Sequence, residues 1–455
     1  MGLPEANLLV ISDLHLGEGI GTPVPRDPAT LDRELRAFLE HYAVVRRDDR
    51  PWRLVINGDM VDFIGVSIKG DAASPADYRT YGLGARARDA AAKMAAVIER
   101  HDGVFRALGR FVGAGNEVSV VLGNHDAEFH FPEVQTLFRD AVARGLNEHG
   151  NESDVSVAWM ENAVQFCPWF FFEEGVAWIE HGHQYDPYCS FEDVLEPASD
   201  AAEIDPNVGS VLVRYVLSQV DKDIGDQYDD GFWAHLRFAA SRGVSGGIAV
   251  VTGYADMNRR LFRFWWDRSP VVLKARMERS KARFDIIASK ARIAEERLAT
   301  VRDMWMRPVG QDFGRLLRAV MLDRLIVLLA TPLLLLTPLM TPWEWLPLVG
   351  LVVGGMFGAG LREAMRERET PDPRAAMRRV SATLREHLRV PFVVFGHSHD
   401  PAAELAETGA YFNTGTWVAH GPKRAFTHVL IERGVDGVRA RLLQWRDGDS
   451  RDLVG

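Results

Sequence analysis

A chain of 455 residues is too long for one ordinary hydrophobic core and long enough for two domains, or for one domain with a large insertion. Hydrophobic residues make up 47% and charged residues 25%, which is a globular composition and excludes a disordered or fibrous chain. The net charge of −10 argues against non-specific nucleic-acid binding, which needs a basic footprint, and only two cysteines, Cys167 and Cys189, exclude a disulfide framework or a cysteine-rich zinc module.

The chain opens MGLPEANLLVISDLHL, a short apolar run with no basic leader, so no secretory signal peptide is expected. Cysteine usage fits a reducing cytosol. Five apolar runs each end in a polar cluster: Leu8–Ile11 before SDLH, Leu54–Ile56 before NGDMVD, Val118–Leu122 before GNHD, Val176–Ile179 before EHGH, and Phe392–Phe395 before GHSH. Short β-branched and apolar runs bounded by Gly, Asn and Asp predict buried strands. Between them, Leu31, Leu35, Phe38, Leu39 and Tyr42 recur at helical spacing, as do Val134, Leu137, Phe138 and Ala141. Strands alternating with helices predict an α/β layered fold, in which sites form beyond the carboxyl ends of strands. All five clusters fall there.

The fourth and fifth clusters lie more than 200 residues apart. Residues 205–320 are rich in helix formers and long charged side chains and are predicted to be mostly helical. Leu325–Met340 and Leu348–Leu361 then form two apolar stretches around TPWEWLP, with Glu344 the one charged residue from Leu325 to Leu361, and with Pro332, Pro338, Pro342 and Pro347 interrupting. Each half is short for a single span of about 20 residues, so a tilted or re-entrant helical hairpin is expected. Arg315, Arg318 and Arg324 before it and Arg362, Arg366 and Arg368 after it place both ends on a cytoplasmic face, with Trp343 and Trp345 as interfacial anchors. A buried helical pair or an oligomer interface is the alternative. RRLFRFWWDR, Arg259–Arg268, suits either a membrane-surface helix or an amphipathic helix packed on the rest of the protein.

Divalent cations take carboxylate oxygen, amide oxygen and neutral imidazole, and the clusters supply all three. Asp13 and His15 lie two apart at a strand end, Gly58 permits a sharp turn beside Asp59, Asn124 offers an amide oxygen, and His181, His397 and His399 add imidazoles. Any one of these motifs recurs by chance; five in order, each after a predicted strand, point to one metal centre.

DLH, GDMVD, GNHD, HGH and GHSH together resemble the ordered signature of the calcineurin-like metallophosphoesterase superfamily, over roughly residues 8–190 and 390–440. That resemblance implies a four-layer double β-sandwich flanked by helices, with a large helical insertion carrying the apolar hairpin. It divides the chain into residues 1–195 and 389–455, the two parts of the catalytic domain, and 196–388, the insertion, with the hairpin at about 325–361. It implies two divalent metal ions, with Mn the first choice and Fe, Zn or Mg alternatives. Asp13, His15, Asp59 and His399 would hold the first, Asp59 would bridge, and Asn124, His181 and His397 would complete the second. His125 would act at the leaving group, oriented by Asp126. His183 matches no ligand position and is expected either beside a ligand or as a turn residue.

The implied reaction is hydrolysis of a phosphate ester or anhydride without a covalent enzyme intermediate. ISDLHL, GDMVD and the helical insertion are also similar to UDP-2,3-diacylglucosamine hydrolases, which cleave a lipid-bearing nucleotide pyrophosphate at the cytoplasmic membrane face. The chain departs from them in having His125 where they have Arg, HGHQYD in place of an HGD pattern, and a much longer insertion. The expected substrate is therefore a phosphodiester or pyrophosphate in a lipid-linked or membrane-proximal molecule, with membrane lipids as partners and no nucleic acid. A membrane-tethered hydrolase of soluble nucleotides or phosphoproteins, and a non-catalytic scaffold, are the alternatives.

Overall fold

The computed structural model describes residues 5–22, 27–147, 156–219, 243–267, 269–325, 327, 336, 342–365, 371–407, 409–418, 425–435 and 437–453. The strands run β1 (Asn7–Ile11), β2 (Trp52–Asn57), β3 (Glu117–Val121), β4 (Val164–Cys167), β5 (Phe170–Glu173), β6 (Ala177–Glu180), β7 (Phe392–Phe395), β8 (Ala402–Ala406), β9 (Gly409–Asn413), β10 (Thr427–Gly434), β11 (Gly437–Arg446) and β12 (Asp449–Asp452). The five expected strands are β1, β2, β3, β6 and β7. The remaining seven carry no polar cluster.

Two sheets form. The first has the order β12-β11-β10-β1-β2-β3-β4 and the second β5-β6-β7-β9-β8. In the first, β1, β2, β3 and β4 are parallel, with Leu9 opposite Leu54 and Val10 opposite Val55, and β10 joins β1 antiparallel. In the second, β6, β7 and β9 are parallel, and β5 and β8 close the edges antiparallel. Every residue of β1 and β7 is buried, because side chains alternate between two covered faces. That double burial is why these strands read as unbroken apolar runs.

The two sheets share one core. Leu8, Val10, Val55, Val121 and Val429 of the first meet Ile179, Val394 and Phe412 of the second. The opposite face of the first sheet, with Leu9, Ile11, Leu54 and Val120, packs on α1 (Ala29–Val44). After α2 (Ala76–Tyr81), the helices α3 (Ala87–Arg100), α4 (Asp102–Gly113) and α5 (Pro132–Asn147) complete that cover. The predicted stripe of α1 is seated as expected, with Leu35, Phe38, Leu39 and Tyr42 buried and Leu31 packed at the margin.

The 205–320 region is mostly helical among its described residues. After α6 (Val157–Ala163) come α7 (Val208–Tyr215), α8 (Gly243–Trp266), α9 (Pro270–Ala291), α10 (Glu295–Arg302) and α11 (Phe313–Ala319). Beyond α12 (Leu346–Met365), α13 (Pro373–Leu388) leads back to β7. Phe284 and Ala288 of α9, Leu298 and Val301 of α10, and Met377 and Leu384 of α13 cover the second sheet at Trp178, Val393 and Phe395. Part of the long interruption therefore belongs to the body of the fold. Charge fixes α9 further: Glu196, fully buried, takes Arg279 at 2.7 Å and Arg283 at 3.1 Å, while Arg276 reaches Glu192 at 2.9 Å and Asp205 at 3.2 Å. Removing one side of such a buried pair would strand the other charge in the core.

The RRLFRFWW segment lies at the end of α8. Met257 and Leu261 of that helix are buried against Tyr215, Tyr81 and Leu316, and Tyr81 donates its hydroxyl to Asp256 at 2.7 Å. One face thus packs on the rest of the protein, whereas Trp266 is 80% exposed. Most of Leu325–Met340 lies outside the described residues, including Pro332 and Pro338, as do Arg366 and Arg368. The neighbouring segment Trp343–Gly360 is helical, and it is long and apolar enough to cross a membrane. Trp343, Trp345, Leu351 and Met356 on it are each more than half exposed, so it is not a buried core helix. Val327 approaches Gly360, bringing the two ends of the apolar region together.

Candidate metal centre

All five clusters leave the carboxyl ends of β1, β2, β3, β6 and β7, and the packing of the two sheets draws them together. Five of the seven expected ligands sit in left-handed backbone: Asp13 (φ 54°), His15 (48°), Asp59 (53°), His397 (66°) and His399 (56°). Such conformations are uncommon outside glycine and cluster at functional sites, where the surrounding structure holds the strain. Here they turn the chain sharply just beyond the strand ends, so that Asp13 and His15, two apart, reach the same group of donors.

The ligand atoms form one continuous set. Donor atoms of Asp13, His15 and His399 lie within 4.8 Å of one another, as do those of His15, Asp59 and His125 and those of Asp59, His181 and His397. His399 Nε2 is 3.1 Å from Asp13 Oδ1, His15 Nε2 is 3.2 Å from His399 Nε2, and His181 Nε2 is 3.2 Å from Asp59 Oδ2. Asp59 lies between the two groups, sharing one with His15 and the other with His181 and His397. The GNHD loop folds over it: His125 donates its backbone N–H to Asp59 Oδ1 at 2.8 Å. Gly123 is required for that approach, since a Cβ there would stand 2.2 Å from Asp59 Oδ1. Gly58, at φ 80°, is required for another, since its Cβ would stand 2.4 Å from the His181 ring.

The electrostatics leave room for a cation. Asp13 and Asp59 are buried carboxylates whose ion pairs among the described residues are all with histidines. Burial opposes the charge on both, yet His399 holds Asp13 below the usual carboxylate range, and His181 and His125 hold Asp59 well below it. Burial disfavours the His181 imidazolium, but Asp59 overrides it and raises the pKa to about 10. Burial and the neighbouring His125 push His15 down to about 4, so it stays neutral. Among the described residues, Asn124 Oδ1 is buried without a hydrogen-bond partner, and Asp13 Oδ1 and His181 Nε2 are buried with only the histidine–carboxylate contacts given above. A buried, unmatched amide oxygen beside carboxylates and imidazoles that are paired only with one another is a donor set that a divalent cation satisfies, displacing the imidazole proton as it binds. The seven residues therefore fit a metal centre.

His125 lies beside this set, its ring 4.6 Å from that of His15. Its expected orienting partner, Asp126, is not what holds the ring. His125 Nδ1 is 2.7 Å from Asp62 Oδ1. Asp126 instead accepts backbone N–H groups from Gly123 at 2.6 Å and Met60 at 2.7 Å, clamping the third cluster to the second. Burial, with Asp59 nearby, raises the Asp126 pKa to about 7. The correction has a simple cause. Asp126 starts a 3-10 turn (Ala127–His130), and its carboxylate points back onto the strand ends, away from its sequence neighbour. Asp62 lies within the GDMVD motif, and asking which carboxylate could pair with His125 was the signal that would have found it.

His183 is buried against His181 and Phe191, and neither ring nitrogen has a hydrogen-bond partner among the described residues. Burial and His181 push its pKa well down, so it is neutral. Sequence reasoning also missed Asp186 and Cys189, which form a further group with His397. Comparison with models of known protein families returns no match for this chain, and none is found among curated proteins.

Proposed function

We propose that the chain is a metal-dependent phosphoesterase of the calcineurin-like kind, hydrolysing a phosphodiester or pyrophosphate bond. The observation that carries the reading is the convergence of donor atoms from six of the seven expected ligands, with Asp59 shared, at the ends of strands from two packed sheets, and the buried, unmatched Asn124 Oδ1 on the GNHD loop beside them. Helices on the outer face of each sheet are consistent with the four-layer double sandwich that this reading implies. Asp13, His15, Asp59 and His399 would hold one ion, and Asp59, Asn124, His181 and His397 the other. A cation pair of this kind supplies positive charge to the phosphate oxygens and a nucleophile at neutral pH.

The chain's own residues then do the rest. Buried Asp13 and Asp59 keep their negative charge and so keep the centre selective for cations. Asp62 fixes the His125 ring through Nδ1. As an imidazolium held through Nδ1, His125 would donate a proton or hydrogen bond from Nε2 to the departing oxygen. Asp126 holds the loop carrying His125 in register with Asp59.

The substrate class is supported by the helix Trp343–Gly360, whose apolar side chains are, apart from buried Val353, mostly exposed in the described chain. A bilayer would cover them, with Trp343 and Trp345 at its interface and the arginines before and after it on the cytoplasmic side. A centre tethered there would meet lipid-linked or membrane-proximal phosphate compounds. The test is metal analysis of detergent-purified protein, followed by assay on bis-p-nitrophenyl phosphate, p-nitrophenyl phosphate, UDP-sugars and lipid pyrophosphates. Two divalent ions per chain and turnover of a diester or pyrophosphate are expected. His125→Ala should lower turnover by about 100-fold or more with both ions retained, whereas Asp59→Ala should lose metal and activity together. No turnover on any substrate by metal-loaded protein would favour a scaffold, and recovery in the soluble pool without detergent would remove the membrane from the proposal.

A further inference from the structure

We infer that Asp186 is a positioning residue that sets which nitrogen of His397 faces the metal centre, and that the helical insertion holds Asp186 in place. The inference rests on the metal-centre proposal above. His397 Nε2 lies 3.1 Å from Asp186 Oδ2. An Nε2–H donated to that carboxylate leaves the lone pair on Nδ1, the tautomer in which Nδ1 is the ligand atom. Carboxylates that accept the second ring N–H of a ligating histidine fix its tautomer and orientation and raise its basicity.

Asp186 is itself tightly held. Its other oxygen accepts the backbone N–H of Tyr188 at 2.9 Å, and the Cys189 thiol donates to the same carboxylate. The turn that carries Asp186 is anchored from the insertion at several points. Met306 donates its backbone N–H to Gln184 O, Val309 to Pro187 O and Gly209 to Tyr188 O, each at 2.9 Å. Asn207 adds its side-chain amide to Cys189 O at 3.0 Å. The fourth cluster, the fifth cluster and the insertion thus meet at one carboxylate.

The experiment compares the full chain in detergent with Asp186→Ala and Asp186→Asn, reading bound Mn²⁺ by equilibrium dialysis and the melting temperature of chelator-treated protein. Wild type should bind two ions. Asp186→Ala should keep one at unchanged affinity and bind the other about 10- to 100-fold more weakly. Asp186→Asn, which keeps an acceptor oxygen, should recover part of that loss, and the three metal-free melts should coincide. Two ions at wild-type affinity in Asp186→Ala overturns the inference and leaves the metal centre standing. A weakened site with an equally weakened metal-free melt and no recovery in Asp186→Asn assigns Asp186 a purely structural role and also overturns it. Wild-type protein that binds no divalent ion overturns the metal centre and the inference together.

Discussion

Replacing Gly58 by alanine separates the cost of the turn from the cost of crowding the metal centre. Gly58 has φ 80°, and its added Cβ would meet His181 Cγ and Nδ1 at 2.4 Å. The left-handed backbone costs an L-residue about 1–2 kcal/mol, and forcing a methyl into a filled space costs about 1–3 kcal/mol more. The His181 ring cannot retreat cheaply, because it is buried and its Nδ1 is tied to Asn57 O at 2.8 Å. The expected loss is therefore about 2–5 kcal/mol in total. Gly115 is the internal control: its φ is 83°, but its nearest neighbour, Arg46 Nη2, is 3.6 Å away, in ordinary van der Waals contact. Gly115→Ala should lose only the backbone part, about 1–2 kcal/mol. Denaturant unfolding of both variants with chelator present measures the two costs. Metal titration of each then shows whether His181 has moved: Gly58→Ala should weaken binding about ten-fold or more, as disturbing a ligand's support does, and Gly115→Ala should not. Equal destabilisation of the two variants, with metal affinity intact in Gly58→Ala, would refute the close packing of Gly58 on His181.

Other outcomes are expected of the same protein. Asp62→Asn should lower turnover while both ions stay bound, since Asp62 holds His125, which is not one of the seven ligands; loss of metal in that variant would contradict the placement. Asp126→Ala should instead lower stability and metal affinity together, by about 1–3 kcal/mol for the two buried N–H groups it strands, read by denaturant unfolding. His428 is fully buried, with Nε2 3.0 Å from Ser450 Oγ, and burial pushes its pKa down to about 3. A depressed folded pKa means that its contribution is complete above the unfolded value near 6.5 and is lost as pH falls from there toward 3, at up to about 1.4 kcal/mol per pH unit. Between pH 6.5 and 5, His428→Leu should therefore gain about 1–2 kcal/mol relative to wild type in unfolding experiments. An unchanged difference between the two proteins across that range would show that His428 is already charged in the fold.

Much of the centre was legible because its signals are local. A strand buried on both faces has to be apolar along its whole length, so β1, β2, β3, β6 and β7 announced themselves, and the ligands follow each within a few residues. The helical stripe of α1 was legible for the same reason. The edge strands β8 and β12 were not, because AAELA and DSRD are largely exposed and need no apolar pattern. Nor did the long interruption reveal that α9, α10 and α13 would roof the second sheet. Their apolar residues are spaced for a helix, but spacing does not say which surface a helix covers.

What the sequence determined by itself was the inventory: five strand ends, each delivering carboxylate, amide or imidazole, and an apolar stretch too long and too free of charge for an ordinary surface. What only the tertiary structure decided was pairing. Asp126 stands next to His125 in the chain but turns back to two backbone N–H groups, while Asp62 and Asp186 reach across turns to His125 and His397. The reason is directional. A hydrogen bond needs a partner along a particular line, and the left-handed turns at Asp13, His15, Asp59, His397 and His399 send each side chain along a line that residue order alone does not specify.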